Sequence, residues 1–429
     1  MNYLYLFLFI LSLDIFAKED SYSLFIKACE STKILSESWE DDFRDRLNDC
    51  IKNQTEASVE ISNQLLKAKP ILDMIRQART KKEWNSPDPR KGDLNSAYPE
   101  IQYWRYLGEL ATASIQEKIR HNKYDEAMDI YIDFKTVGTL YSKNNIIIPY
   151  LLKYAIEKKI LLNSDMSFLD KCSLSYFPVL KELIDKTTIE QFLMGEKHHC
   201  INTIKNMAFV DLADTQQALI KILIENEYDQ KLIAKVEKGD LLSIKQWEKI
   251  AIKNYLQNYD YRMKLYQTTA PNKLRALGDK LEKEEKSAKQ TDELIKTWQD
   301  KISKINKNDV TQLQELQKNV GEEISLILNS MLLPDLGGAI IKLKEYHSYE
   351  RLVLIRMAQR VYFNKTQTAA KTLQDLIDQQ ILEKEMIIDP LSQKEFLLNE
   401  QNQAYGVGPD FDDDLGVPYD RHKKSGDII

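Results

Sequence analysis

Helix-breaking residues are scarce throughout this chain. Glycine occurs 13 times and proline 11 times among 429 residues. Because both residues destabilise the interior of a helix, their scarcity over so long a chain favours helices over a loop-rich β fold. The sequence therefore predicts a mainly α fold, made of helical hairpins or a bundle with long charged helices, and a small α+β module at the C-terminus.

The composition permits a sizeable core and excludes some partners. Apolar residues make up 43% of the chain and charged residues 29%, which is ordinary for a globular protein. At roughly 100–200 residues per domain, the length indicates two or three domains. The formal net charge of −6 provides no basic footprint for nucleic acid and no polybasic patch for an anionic membrane.

The first residues have the pattern of a secretory signal. An apolar run extends from Tyr3 to Leu13, and Ser12 is its one polar residue. This run fits the apolar region of a signal peptide and is shorter than the roughly 20 residues that span a bilayer. Ile15 and Ala17 then stand at positions −3 and −1 of a cleavage site before Lys18. The sequence predicts a signal peptide over residues 1–17 and a periplasmic or secreted mature protein without a membrane span; the alternative is a buried N-terminal helix.

Four cysteines fit an exported chain. An even number of cysteines in such a chain favours disulfide bonds, although four cysteines allow three pairings. The local pairing, Cys29 with Cys50 and Cys172 with Cys200, closes two loops of the length of a helical hairpin and is predicted here. The alternative is four buried thiols. No cysteine belongs to a CxxC pair, so the sequence lacks the usual signature of thiol redox catalysis or of a structural zinc site.

Breaks in the helical pattern divide the mature chain into four predicted regions. An Asn/Pro-rich stretch marks the first boundary, an Ala-Pro pair the second, and a Leu-Pro and Gly-Gly stretch the third. The predicted regions are an N-terminal helical region (18–99), a helical-hairpin core (100–270), long charged helices and a hinge (271–339), and the C-terminal module (340–429).

A helical hairpin is the clearest local pattern. Apolar residues recur at three- and four-residue spacing from Trp104 to Ile119, which predicts one face of a helix. A polar break at residues 121–123 follows, and a second helix is predicted from Tyr124. The stretch from Asn122 to Tyr131 resembles the second helix of a tetratricopeptide-like hairpin, but no 34-residue recurrence accompanies it. Stacked hairpins form extended concave surfaces that suit protein binding.

The last 90 residues carry the best candidate site. A helix is predicted at residues 340–363 and a short second helix at 370–382, followed by strands at 396–398 and 404–407. After the second strand comes an acidic cluster: Asp410, Asp412, Asp413, Asp414, Asp420 and Asp427. Calcium binds six to eight hard oxygen ligands on a flexible loop, so this cluster with its flanking glycines favours a calcium site. The alternative is a solvated acidic tail.

The order of these features resembles the globular part of the major pseudopilin of type II secretion systems. The resemblance covers about 85 of the 429 residues and rests on Asp389-Pro390, the stretch from Tyr405 to Asp410, the acidic loop and the terminal Gly426-Asp427-Ile428. It implies a small antiparallel sheet whose closing loop binds calcium. The implied ligands are Asp410, Asp412 or Asp414, and Asp427.

Two features depart from the pseudopilin pattern. A pseudopilin begins with its membrane-inserted helix, whereas the similar module here lies at the C-terminus, and residues 420–424 are an insertion. The resemblance therefore concerns the fold of the tail. The whole chain looks like exported bacterial helical proteins that carry such a tail.

Other catalytic signatures are missing from the sequence. His198, His199 and Cys200 lie near Glu196, but adjacent histidines point about 100° apart on a helix and the HExxH spacing is absent. This cluster is predicted to be structural. The chain also has no G-x-S-x-G elbow, no phosphate-binding GxxxxGK[ST] loop and no GxGxxG motif before a helix.

The predicted function follows from these observations. We expect an exported, non-enzymatic helical scaffold that binds other envelope proteins and no nucleic acid, with calcium as its one candidate cofactor. Two alternatives remain open at this point: a periplasmic hydrolase with a carboxylate site, and an accessory protein of a secretion system.

Overall fold

Most of the chain is described by the computed structural model. The described residues are 20–81, 83–86, 100–143, 147–164, 166–225, 230–238, 244–285, 336–418 and 425–429, with a few isolated positions between 304 and 322. The predicted signal peptide lies outside them, and so does nearly all of the charged segment 286–335.

The described residues form fourteen α-helices and one two-stranded sheet, which confirms the predicted mainly α fold with a small α+β tail. The first seven helices are α1 (Ser21–Ser36), α2 (Phe43–Asn53), α3 (Val59–Thr80), α4 (Ile101–Arg120), α5 (Tyr124–Tyr141), α6 (Ile147–Asn163) and α7 (Ser167–Lys171). The next seven are α8 (Tyr176–Glu182), α9 (Ile189–Glu225), α10 (Gln230–Glu237), α11 (Ile244–Thr268), α12 (Leu274–Glu285), α13 (Leu336–Thr366) and α14 (Gln374–Asp378). The strands are β1 (Leu397–Leu398) and β2 (Ala404–Tyr405).

The predicted hairpin is formed by α4 and α5. The chain turns at Asn122, whose φ of 58° is a left-handed conformation that asparagine adopts more readily than most residues. The N–H of Lys123 donates to the carbonyl of Lys118 at 2.8 Å and closes the end of α4. The polar break at residues 121–123 is thus the turn that the sequence indicates.

Two glycines let α6 pack closely on this hairpin. A Cβ atom on Gly108 of α4 would lie 2.9 Å from Ile156, and one on Gly138 of α5 would lie 3.0 Å from Lys153. Neither space admits a larger side chain without a shift of α6. Beside this contact Trp104 stacks on Phe134, with ring centroids 4.8 Å apart, so Trp104 belongs to the core.

One large core joins the N-terminal helices, the hairpin and the C-terminal module. Its buried apolar side chains run from Leu24 in α1 to Ile428 at the C-terminus. Helix α13 is central to it because α13 packs on α6, α7, α8 and α12. A second, smaller cluster lies between α2, α3 and α4 around Phe43 and Leu47. The predicted C-terminal module therefore shares its principal helix with the helical body.

The disulfide prediction is wrong for this structure. All four cysteines lie among the described residues; each is buried, and none forms a disulfide bond. Cys29 belongs to the large core whereas Cys50 belongs to the smaller cluster. The Sγ of Cys172 lies 3.9 Å from the Sδ of Met357 in α13, and the Sγ of Cys200 lies 3.6 Å from Oε1 of Glu196. Hairpin-length spacing brings neither pair together, because each thiol packs against other residues.

The C-terminal tail forms a small sheet on α13. Strands β1 and β2 are antiparallel, with Leu397 opposite Tyr405. Isolated bridges join Gly406 to Ile428 and Pro418 to Asp427, so the last residues return to this sheet. Both strands lie inside the predicted ranges but are shorter than predicted.

Candidate functional site

A network of buried charges lies where α5, α6 and α13 meet. The ammonium of Lys135 in α5 bonds to Glu350 of α13 and lies 3.3 Å from Oε2 of Glu157 in α6. The hydroxyl of Tyr346 lies 2.9 Å from Oε2 of Glu157 and 2.7 Å from Oε1 of Glu350, and it donates its one proton to either carboxylate. All four side chains are almost inaccessible to water. Since burial of an isolated charge is very costly, these groups stay buried only because they pair with one another.

The same network continues to Asp185. Lys153 donates to Asp185 at 2.8 Å, and the hydroxyl of Tyr150 donates to the same oxygen at 2.7 Å. Burial alone would raise the pKa of Asp185, but Lys153 and His347 outweigh burial and lower it. Burial lowers the pKa of His347, whose Nε2 lies 3.1 Å from the Tyr150 hydroxyl.

This network was missed by the sequence analysis. The residues that meet in it are far apart in sequence: Lys135 and Glu350 are separated by 215 positions. The one local signal is a lysine between the buried Phe134 and Val137 on a helix. A lysine at such a position also suits a solvated face, so the pattern alone does not identify the partner.

The Glu196, His199 and Cys200 cluster is buried inside the bundle. Oε2 of Glu196 accepts the N–H of Ile147 at 3.0 Å, at the first residue of α6. Burial raises the pKa of Glu196 and of the Cys200 thiol, so the thiol is a poor nucleophile at neutral pH. His198 instead is exposed and contacts the carbonyl of Met194. Glu196 thus joins α9 to the start of α6.

In the acidic loop, two of the four predicted calcium ligands meet at one backbone amide. One oxygen each of Asp410 and Asp414 accepts the N–H of Gly426, at 3.0 and 2.8 Å. Asp427 accepts the N–H of Gly416 at 2.8 Å. Asp412 lies exposed on the same loop. The backbone passes so closely here that a Cβ on Gly408 would lie 1.8 Å from the carbonyl oxygen of Gly426, so only glycine fits at position 408.

The chemistry of this loop suits a hard cation. Oδ1 of Asp410 and Oδ1 of Asp427 are buried and make no hydrogen bond. Asp427 as a whole residue is only 1% exposed, so water does not replace the missing partner. Burial raises the pKa of Asp427, and the neighbouring charges of Asp413 and Asp414 raise it further. A divalent ion satisfies orphaned carboxylate oxygens of this kind. Among the described residues, however, no three His, Cys, Asp or Glu side chains are arranged as a ready metal site.

A cleft of about 530 Å³ opens between α3, α4 and α5. The apolar residues of its lining come from α3 and α5, and the ionic residues include both acids and bases. The apolar residues are Leu65, Leu66, Leu72, Ile130 and Phe134, and the ionic ones are Lys69, Asp73, Arg76, Glu117, Lys118, Lys123, Glu126 and Asp133. Leu66 is 70% exposed, which is unusual for a large apolar side chain in an otherwise well packed helix.

Asp133 lies at one end of this cleft and is almost fully buried. Nε of Arg76 donates to it at 3.1 Å, and the guanidinium of Arg79 lies 2.9 Å from its other oxygen without hydrogen-bond geometry. Burial raises the pKa of Asp133 to about 6, although Arg79 and Arg76 oppose the rise. The sequence analysis did not predict a special role for Asp133, because acidic residues are common on the predicted helices.

Comparison with protein-family models, curated proteins and solved structures gives no match for this chain. The pseudopilin resemblance of the tail stays a prediction. In the described part of the chain, no helix combines the length and the apolar character that a membrane span requires.

Proposed function

We propose that this chain is an exported, non-enzymatic helical scaffold that binds another protein through the cleft between α3, α4 and α5. The observation that carries this proposal is Leu66, which is 70% exposed at the mouth of that cleft and adjoins the partly buried Leu72 in its lining. An exposed apolar surface with a polar rim is typical of a binding site for another protein. The buried charges of α5, α6 and α13 support a rigid scaffold behind the cleft, because they fix three helices to one another.

Site-specific photo-cross-linking in the native host tests this function. A benzoylphenylalanine at position 66 lies in the cleft, and one at Ile34 of α1 serves as the control because Ile34 is 69% exposed and lies outside the cleft lining. We expect a covalent adduct with a second polypeptide from position 66 and none from position 34. Adducts of equal yield at both positions, or none at position 66, contradict the proposal.

We further propose that calcium fixes the acidic loop. Asp410, Asp414 and Asp427 are the ligands supported by the geometry, since two of them have an orphaned buried oxygen. Titration of the full chain with Ca²⁺ by calorimetry tests this. We expect Asp427→Asn to reduce affinity at least tenfold, since a carboxylate ligand is lost, and Asp412→Asn to change it little. Calcium binding that survives Asp427→Asn unchanged, or that depends equally on the exposed Asp412, contradicts this ligand set.

Calcium binding should also depend on pH. The ion binds ionised carboxylates, and the pKa of Asp427 is raised above its usual value of 3.8. Affinity should therefore fall at a higher pH than an ordinary aspartate site would show.

Export is the remaining part of the proposal. Mass spectrometry of the protein from its native host should find an N-terminus near Lys18, and an intact Met1 on the mature protein contradicts it.

A further inference from the structure

The two ends of the cleft differ in charge. At one end, Asp73 and Asp133 line the cleft with Arg76, while Arg79 and Asp129 act on the same ion pair. Among the residues that line this end, two are carboxylates and one is a guanidinium, which leaves one negative charge in excess. This end is therefore complementary to a cation.

The opposite end is basic. Lys118 and Lys123 both pair with Glu126, and Glu117 lies beside them in the lining. On α3, Arg76 contacts Asp133 at the acidic end of the cleft. Lys69 lies seven residues before Arg76 on the same helix and therefore belongs to the basic end. Three ammonium groups thus face two carboxylates. This end is complementary to an anion.

The apolar floor separates the two ends by a fixed distance. Glu126 and Asp133 are seven residues apart on α5, which is about 10 Å along a helix that rises 1.5 Å per residue. Leu65, Leu72 and Ile130 are among the residues between them. A ligand that fills the cleft therefore places an apolar group between two opposite charges.

The distance between the two ends fits an extended ligand. In an extended segment, alternate side chains lie on one face about 6.6 Å apart. Three same-face side chains at positions i, i+2 and i+4 span about 13 Å, within reach of both ends through long ionic side chains.

We propose that the cleft binds an extended peptide segment in which an apolar side chain is flanked, on the same face, by one acidic and one basic side chain. This inference rests on the proposed protein-binding function and names the chemistry of the partner. The acidic side chain lies at the end formed by Lys69, Lys118 and Lys123. The basic side chain lies at the end formed by Asp73 and Asp133, and the apolar one contacts the floor.

Four capped pentapeptides test the pattern by fluorescence anisotropy on the full chain at low salt. The first probe is Glu-Ala-Phe-Ala-Lys, and the others are Gln-Ala-Phe-Ala-Gln, Lys-Ala-Phe-Ala-Lys and Glu-Ala-Ala-Ala-Lys. We expect the first to bind tightest. The Gln probe should bind about fivefold more weakly, since two exposed ion pairs are lost, and the central Ala probe at least tenfold more weakly, since the buried ring is lost.

A charge-reversal variant makes the test specific. Lys69→Glu/Lys123→Glu turns both ends of the cleft acidic, so the preferred probe should change to Lys-Ala-Phe-Ala-Lys. Lys67→Glu/Lys264→Glu is the matched control, because both lysines are exposed on helices outside the cleft lining and the net charge changes equally. The control should keep the wild-type order of affinities, and thermal melting verifies that both variants fold.

The outcomes of the peptide test bear on the charge pattern of the ligand and not on the protein-binding function itself. Equal binding of the first and the Gln probes, an unchanged preference in the Lys69/Lys123 variant, or no binding of any probe at millimolar concentration overturns the charge pattern. None of these results affects cross-linking from position 66, which decides independently whether a protein partner occupies the cleft.

Discussion

At the scale of single residues, the pKa of Asp133 depends on two opposed effects, burial in the core and ion pairs at the edge of the cleft. Its carboxylate is 4% exposed, yet it lines an open cleft and meets two arginines. The pKa of Asp133 rises to about 6 because burial destabilises the ionised carboxylate more than the two arginines stabilise it. Asp133 is therefore a residue at which the fold gives up stability near neutral pH.

Asp133→Asn should show that cost. Because the pKa of Asp133 is raised on folding, its protonated form stabilises the folded state below pH 4, and this contribution is lost as the pH rises through about 6. Relative to Asp133→Asn, the wild type should thus lose about 2 kcal/mol of unfolding free energy between pH 4 and pH 7.5. This follows from 1.36 kcal/mol per pKa unit and from a carboxyl that is already partly ionised in the unfolded chain at pH 4. Urea unfolding of both proteins at the two pH values measures the difference. A difference that does not depend on pH, or that grows in favour of the wild type as the pH rises, contradicts the raised pKa.

At the scale of elements, the buried network determines how α13 sits against α5 and α6. Glu345, Tyr346 and Glu350 all belong to the first half of α13 and all meet a lysine of the body. A helix held only by apolar contacts has several neighbouring registers of similar energy, whereas a buried ion pair fits one of them. We infer that the network fixes the register of α13, a role attested for buried polar groups in other helical assemblies.

A double-mutant cycle on Lys135 and Glu350 tests this coupling. Lys135→Met leaves two buried carboxylates without their nearest cation and should destabilise the protein by about 3–5 kcal/mol. The double variant Lys135→Met/Glu350→Leu should lose less, since it removes Lys135 together with one of its two carboxylates, and Lys153 still acts on Glu157. Guanidinium unfolding of the four proteins gives the coupling energy.

The exposed pair Lys197 and Asp260 is the control for this cycle. Its ammonium and carboxylate lie 2.6 Å apart at the surface, where a coupling of about 1 kcal/mol or less is expected. If the buried pair couples no more strongly than this surface pair, the network does not hold α13 in place.

The sequence predicts these elements better than it predicts their contacts. The limits of α4 and α5 follow from the helical period and from a polar turn that includes Asn122, because those signals are local. The strands of the tail follow likewise from short apolar runs between turn residues. The partners of Lys135, Cys172 and Asp133 do not follow, since they come from helices that are distant in sequence. The disulfide prediction failed for this reason: loop length is local information, whereas the residues against which each thiol packs are determined by the fold.

At the scale of the whole molecule, the C-terminal segment is part of the body's core. The large core includes Leu354, Ile355 and Met357 of α13 together with side chains of α1 and of α3 to α6. Further out, Asp389 is fully buried, bonds to Ser348 of α13 and accepts the N–H of Leu391 at 2.9 Å. The tail is thus fixed to α13, and α13 is fixed to the body.

A chain divided between the body and α13 should therefore reassemble. Two polypeptides, residues 18–305 and 306–429, each carry a part of the shared core and a part of the buried network. Alone, the C-terminal fragment exposes the apolar face of α13 and the side chains of Tyr346 and Glu350, so it should lack a cooperative thermal transition. Mixed at equal concentration, the two fragments should bind with a sub-micromolar Kd, because the interface is as apolar as a domain interior.

Glu350→Lys in the C-terminal fragment places like charges beside Lys135 and should abolish assembly, whereas Lys365→Glu, on the exposed last turn of α13, should not. Calorimetry and far-UV circular dichroism measure both effects. A C-terminal fragment that melts cooperatively by itself and does not bind the body would establish an independent domain and contradict the shared core.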